Sequence, residues 1–179
     1  MSMPNIPIRA NLGVDPQNKH NYCKYGEVNE KIFLAEIAPK IGMNVRMNPE
    51  KEFNRYAHDF ILDTRKKADL KSQTAPFFKS STYGCDPHKT ATFNCKDYRR
   101  YKELYPNIYV IWWINFPEEE RYGIHVPAQN GVWVLTLKDI EKQIDEGAPI
   151  HTYKNRVNDT RGNARDSYLI ALHDKFRFA

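Results

Sequence analysis

The sequence has no long apolar run, little cysteine and no excess of acidic over basic residues, and each shortage removes a class of protein. Its most continuous apolar segment, Ile108 to Phe116, is broken by Asn115 and falls far short of the roughly 20 residues that a membrane-spanning helix requires. Three cysteines are an odd number, which argues against a disulfide framework and for reduced thiols. Residues Met1 to Leu12 hold two prolines and no continuous apolar core of the kind an export signal needs. A cytoplasmic, intracellular protein without membrane contact is therefore expected. P-loop, HExxH, GxSxG and dinucleotide fingerprints are all missing, which disfavours the enzyme classes built on them.

What is present is ordinary globular chemistry with a basic bias. Hydrophobic residues make up 41% of the 179 and charged residues 27%, a composition that builds one core without a metal or disulfide staple. The net charge of +5 makes a polyanion a natural partner, since each Lys or Arg set against a phosphate releases condensed counterions. Residues 1–24, with Pro4, Pro7 and Pro16 and no periodicity, are expected to form an irregular N-terminal arm, and 25–179 a single domain.

From Tyr25 to Ile37 apolar residues recur at helical spacing, and Pro39 and Gly42 end the run. Asn44 to Met47, Ala57 to Leu62 and Ala68 to Gln73 have strand patterns, the last two joined through the polar turn Asp63 to Lys66 as a hairpin. Residues 75–95 are rich in Ser, Thr, Pro and Gly and are expected to be a long loop. Lys96 to Leu104 has helical composition, and Ile108 to Phe116 is the most strand-like segment, apolar enough to be buried on both faces. Val132 to Leu135 predicts a strand, followed by Thr136 as N-cap with Asp139 three residues on, a helix to Glu146 and a terminating Gly147. Ile150 to Tyr153 and Ser167 to Leu172 are candidate edge strands. The expected fold class is α/β: a sheet of mixed strand direction covered by helices on both faces.

The hairpin carries the chain's only acidic-x-Lys tripeptide, Asp69-Leu70-Lys71. Residues i and i+2 of a strand share a face, so Asp69 and Lys71 project together, roughly 7 Å apart along the chain. A hairpin register in which paired residue numbers sum to 128 sets Asp59 opposite Asp69, with β-carbons about 5 Å apart. Two carboxylates so placed hold a hard divalent cation that neutralises a phosphate and lowers the pKa of bound water. A nearby ammonium orients that water or stabilises the charge developing on the phosphorane. Gln73, on the same strand face, is placed to position water or the scissile phosphate.

This arrangement resembles the PD-(D/E)xK nuclease superfamily, which includes restriction endonucleases and Holliday junction resolvases. The resemblance runs from Tyr25 to about Glu146: a first helix with Gly26 and Glu30, a strand carrying Asp59, then Asp69-Leu70-Lys71-x-Gln73, a helix and a buried strand. His58 stands where the motif carries Pro, and Asp69 where Glu is more frequent. The resemblance implies a restriction-endonuclease-like sheet and a magnesium-dependent deoxyribonuclease, with Mn2+ able to substitute. It also implies that Asp59 and Asp69 bind the metal with the Leu70 carbonyl, that Glu30 from the first helix assists, and that Lys71 and Gln73 complete the catalytic set. The expected substrate is DNA, cut by a restriction-, homing- or phage-type endonuclease that works as a homodimer because two strands need two sites. A structure-specific Holliday junction resolvase is the alternative within the enzyme class. Outside it stands a non-catalytic DNA-binding protein of nuclease-like fold, whose carboxylates are ordinary surface charges.

Lys89, Lys96, Arg99, Arg100 and Lys102, interleaved with Tyr98 and Tyr101, form a candidate phosphate-contacting cluster, although a solvated helix face accounts for the same residues. Lys154, Arg156, Arg161 and Arg165 make a second basic segment. Cys85, His88 and Cys95, with His20 and Cys23 upstream, supply enough soft ligands for a structural Zn2+ site, but their spacing matches no common finger and burial of isolated cysteines is the commoner outcome. Trp112 and Trp113 are assigned to the core.

Overall fold

The apolar run Tyr109–Phe116 becomes strand β5 and the axis of the molecule. In the computed structural model, which describes residues 19–54, 56–63, 65–153 and 166–179, β5 sends Val110, Trp112, Ile114 and Phe116 into one core and Ile111 and Trp113 into another. Burial on both faces is thus as the composition of the strand predicts. It lies within a five-stranded sheet of order β1 (Val45–Met47), β2 (Phe60–Leu62), β3 (Lys67–Gln73), β5, β8 (Gln129–Thr136). The first three strands are antiparallel, β3 and β5 are parallel, and β8 returns antiparallel, so the sheet is mixed.

Helix α1 (Lys19–Ile32), a wide turn Phe33–Ile37 and the short α2 (Ala38–Lys40) cover one face. Pro39 has no N–H to continue the helical ladder, and the backbone widens so that Ala38 N–H reaches Phe33 O. Phe33 and Ile37 pack there against Phe60, Leu70 and Trp113. The opposite face carries α3 (Cys95–Leu104), α4 (Leu137–Asp145) and a second, antiparallel sheet of order β4 (Thr90–Asn94), β10 (Asp166–Ala171), β9 (Ile150–Thr152). Tyr101, Phe93, Ile140 and Ile170 close that core over Trp112 and Leu135. A mixed α/β fold with helices on both faces follows. Among the described residues no helix is long and apolar enough to cross a membrane.

Several boundaries differ from expectation. Helix α1 is described from Lys19, within the stretch expected to be irregular. The 75–95 segment is not a loop throughout: it holds a 3-10 helix, Phe78–Tyr83, and β4, whose Ala91 and Phe93 are fully buried. Strand β10 is central in its sheet rather than an edge. A small hairpin, β6 (Glu119–Arg121) and β7 (Ile124–Val126), turns through Tyr122 and Gly123, both at positive φ. The predicted capping box of α4 is present, Thr136 Oγ1 accepting from Asp139 N and Asp139 Oδ2 from Thr136 N.

Strand β8 supplies a check on core packing. Trp133 is 1% exposed, with its ring folded back over Gly131 and the Arg177 guanidinium 5.2 Å from its centroid. A methyl at position 131 would stand 2.7 Å from the indole. Gly131→Ala is expected to cost about 1–3 kcal/mol, read as a lowered urea midpoint; an unchanged midpoint would show that the indole swings aside.

Candidate functional site

Strand β2 stops one residue short of Asp59, and the reason is local. Asn48 N–H donates to Asp59 O at 2.9 Å, and the Asn48 side chain donates to His58 O at 2.9 Å, so the chain bends away before a further β2–β3 pair forms. The side chain of Asp59 takes over: its Oδ2 accepts from Leu70 N–H at 2.8 Å, where a β2 carbonyl would otherwise serve. The pairs that do form, Phe60 with Ala68 and Ile61 with Lys67, keep the register summing to 128. His58, where the motif has Pro, is buried against Tyr105, its ring centroid 5.2 Å away; burial, then Lys67, pushes its pKa down.

Asn48 has a second task. Its Oδ1 caps the 3-10 turn Pro49–Glu52, which delivers Lys51 to the edge of the hairpin. Lys51 Nζ lies 2.5 Å from Asp59 Oδ1 and also pairs with Glu30 of α1. Burial works against this ammonium, but Asp59 and Glu30 together outweigh it and raise its pKa.

On the face of β3 beneath α3 stand Asp69 and Lys71. Lys71 Nζ lies 2.8 Å from Asp69 Oδ2 and 2.8 Å from Asp97 Oδ2 in the first turn of α3, while Arg100 Nη2 lies 3.0 Å from Asp97 Oδ1. The Lys71 ammonium is thus the partner of the buried Asp69 Oδ2. Burial, then the neighbouring Asp59 charge, pushes the Asp69 carboxyl up to about 7 against the lowering effect of Lys71. Burial opposes the Lys71 ammonium too, but Asp69 and Asp97 hold its pKa well above the ordinary lysine value. Asp97 is half-buried, which works against its charge, yet Lys71 and Arg100 bring its pKa below the usual carboxylate range. The centre therefore gathers Glu30, Asp59, Asp69 and Asp97 around Lys51, Lys71 and Arg100.

The structure brings Glu30, Asp59, Asp69, Leu70 and Lys71 together. Gln73 shares their strand and donates through Nε2 to Ala75 O at 3.0 Å and Thr90 O at 3.4 Å. The five basic candidates do not share one face. Arg100 turns inward to Asp97, Lys102 pairs with Glu141 of α4 at 2.5 Å, and Lys89 approaches Asp174 at 3.4 Å; Lys96 and Arg99 are exposed on α3. Cys95 is buried at the start of α3 and Cys85 half-buried with its Sγ toward Tyr83 O. Residues 154–165, with the second basic segment, and the side chains of His20 and Cys23 lie outside the described residues. Sequence reasoning missed Lys51, Asp97 and the Asn48–His58 brace, because each reaches the site from an element whose packing no local pattern encodes.

Comparison of the chain with protein-family models, with curated proteins and with solved structures finds no match. The chemistry of the site must be judged from its own atoms. Two adjoining buried carboxylates, Asp59 and Asp69, are oxygen donors of the kind that suit a hard divalent cation. Among the described residues no three His, Cys, Asp or Glu side chains are grouped as a metal requires, since Glu30 reaches Asp59 only across Lys51. A cation here would rest on Asp59 and Asp69, with backbone oxygen and water completing its shell.

The raised Asp69 pKa has a stability consequence in metal-free protein. From 3.8 in the unfolded chain to about 7 in the folded one, the folded state binds the extra proton, so its contribution is full below pH 4 and lost as pH rises through 7. Asp69→Asn is expected to flatten this fall and to melt about 5 °C above the parent at pH 8 in EDTA. A variant that melts no higher would show that Lys71 fully compensates the buried charge.

Proposed function

We propose that the protein is a metal-dependent DNA endonuclease that hydrolyses phosphodiester bonds at the Asp59–Asp69–Lys71 centre. The observation that carries this reading is the Asp69 carboxylate, buried beside Asp59 and 2.8 Å from a Lys71 ammonium that Asp97 shares. Ordinary surface charges are solvated; these are not. The element order supports the same reading: α1 with Glu30, the turn into β2 with Asp59, β3 with Asp69-Leu70-Lys71, then α3 and the buried β5, in the sequence that the PD-(D/E)xK resemblance requires.

Asp59, Asp69 and the Leu70 carbonyl would hold Mg2+, or Mn2+ in its place. The bound ion supplies neutralisation of the phosphate and a water of lowered pKa. Lys71 remains protonated at neutral pH, so it acts as a donor that orients the attacking water and steadies charge on the phosphorane rather than as a base. Asp97 positions that ammonium from the far side. Gln73 lies on the same strand face toward the incoming strand, and Glu30 assists from α1. Cleavage of both strands calls for two such centres, and a homodimer supplies them.

One observation favours a second reading, a non-catalytic DNA-binding protein. Lys51 lies between Glu30 and Asp59, and Lys71 between Asp69 and Asp97, so the carboxylates already have cations of their own. Incubation with supercoiled plasmid, linear duplex and a four-way junction, each with magnesium and with EDTA, separates the two. The expected outcome is magnesium-dependent cutting, abolished by Asp59→Ala or Asp69→Ala with DNA binding retained and reduced at least about a hundredfold by Lys71→Ala; the junction arm distinguishes a resolvase. Binding without cutting on every substrate would establish the second reading.

Lys51 gives an independent check that needs no substrate. Removing an ammonium 2.5 Å from Asp59 Oδ1 is expected to strengthen Mn2+ binding by about tenfold in Lys51→Met, equivalent to about 1.4 kcal/mol. Calorimetry or the paramagnetic signal of free Mn2+ reads it, and weaker binding in the variant would mean that Lys51 organises the carboxylates rather than competing for them.

A further inference from the structure

Beside Lys71 the surface opens into a cleft of about 410 Å³ between α1, the end of β3 and the segment that follows it. Its volume lies in the range of pockets that enclose small organic ligands, roughly 300–1,000 Å³. Lys71 and Gln73 form one wall, Tyr25 and Gly26 of α1 another, and the rings of Phe77 and Tyr153 a third. The aromatic wall is braced from behind. His151 of β9 packs edge-on against Tyr153 at 4.5 Å and Phe77 at 5.1 Å, and Tyr83 holds His151 in turn through Oη···Nδ1 at 3.1 Å.

We infer that this cleft binds an unpaired nucleobase of the substrate strand next to the scissile phosphate, stacked against Phe77 and Tyr153. The purpose assigned to the cleft rests on the nuclease reading; its geometry does not. Three features converge on a base rather than on another ring compound. The cleft shares Lys71 with the carboxylate centre, so an occupant lies within one residue's reach of the reacting phosphate. Its walls combine two aromatic rings, inclined at 51° to each other so that a base stacks on one and meets the other obliquely, with the amide of Gln73 and the hydroxyls of Ser72 and Thr74. Gly26 leaves open space where a side chain would begin, so α1 does not close the mouth. A base stacked inside duplex DNA cannot enter such a cleft without leaving its partner. Substrates with a base already unpaired, such as a bulge, a flap or a single-stranded end, are therefore favoured over fully paired duplex.

The test uses the full chain in EDTA, where nothing is cut, and oligonucleotides carrying 2-aminopurine either in a single-base bulge or at the same position of a perfect duplex. The bulged probe is expected to bind about tenfold tighter, with a change in 2-aminopurine fluorescence that the duplex does not show. Phe77→Leu and Tyr153→Leu keep an apolar side chain but remove the stacking face, and each is expected to bring the two affinities together; circular dichroism and melting verify that they fold. Equal affinities in the parent protein, or variants that keep the full preference, would overturn the inference. The two readings fail separately. Magnesium-dependent cutting that is equal on bulged and paired DNA retains the nuclease and removes the base cleft, whereas a bulge preference without cutting retains the cleft and removes the nuclease.

Discussion

Strand β3 pairs in parallel with β5 from Ala68–Tyr109 to Gln73–Ile114, and this pairing fixes most of what surrounds the site. Parallel neighbours demand a long crossover, here the stretch containing β4 and α3, which must pass over one face of the sheet. That passage brings Asp97 and Arg100 above Lys71. The alternation of β3 does the rest: Ala68 and Leu70 face the core under α1, where Asn29 also donates to Ser72 at 2.8 Å, while Asp69, Lys71 and Gln73 face the crossover. A slip of one residue would exchange the two sets and bury three polar side chains in the α1 core. The register is thus enforced by apolar burial, and Asp69, Lys71 and Gln73 inherit their positions from it.

Charge at the centre is balanced in two separate places. At the hairpin edge Lys51 neutralises Glu30 and Asp59; on the sheet face Lys71 and Arg100 neutralise Asp97 and, less completely, Asp69. Burying this many ions is unfavourable unless each finds partners, and Asp69 is the one whose partners fall short. Burial and the nearby Asp59 charge disfavour its ionised form against the effect of Lys71, which raises its pKa to about 7. On the proposed reading an added cation would relieve this cost, which would set stability against ion binding at this residue.

How much of this was legible in the sequence depends on range. The hairpin register supposed from the sequence is the one that Phe60–Ala68 and Ile61–Lys67 keep, although the strand pairing ends before Asp59 reaches Asp69; the i, i+2 relation of Asp69 and Lys71 needed only a strand. The capping box of α4 and the two-sided burial of β5 were equally local. Strand β4 was hidden because Thr90–Asn94 sits among Ser, Thr and Cys, and only its burial under β10 reveals Ala91 and Phe93 as core. Lys51 and Asp97 were invisible for a different reason. Nothing in Pro49–Glu52 says that the turn folds onto Asp59; that depends on Asn48 bonding both its own turn and the His58 carbonyl.

The same alternation that orders the centre also joins it to the cleft. Asp69, Lys71 and Gln73 occupy successive positions on one face of β3, about 7 Å apart, and lead from the carboxylate pair through the ammonium to the aromatic wall. On the proposed reading, a nucleic-acid strand running along that face would meet the carboxylates, the ammonium and the stacking surface in turn. The amide of Gln73 is held by Ala75 O and Thr90 O, so the far end of the track is tied to the loop carrying Phe77 and to β4. Displacing that loop would therefore disturb the Gln73 amide and the aromatic wall together, and with them, on the proposed reading, the base and the phosphate.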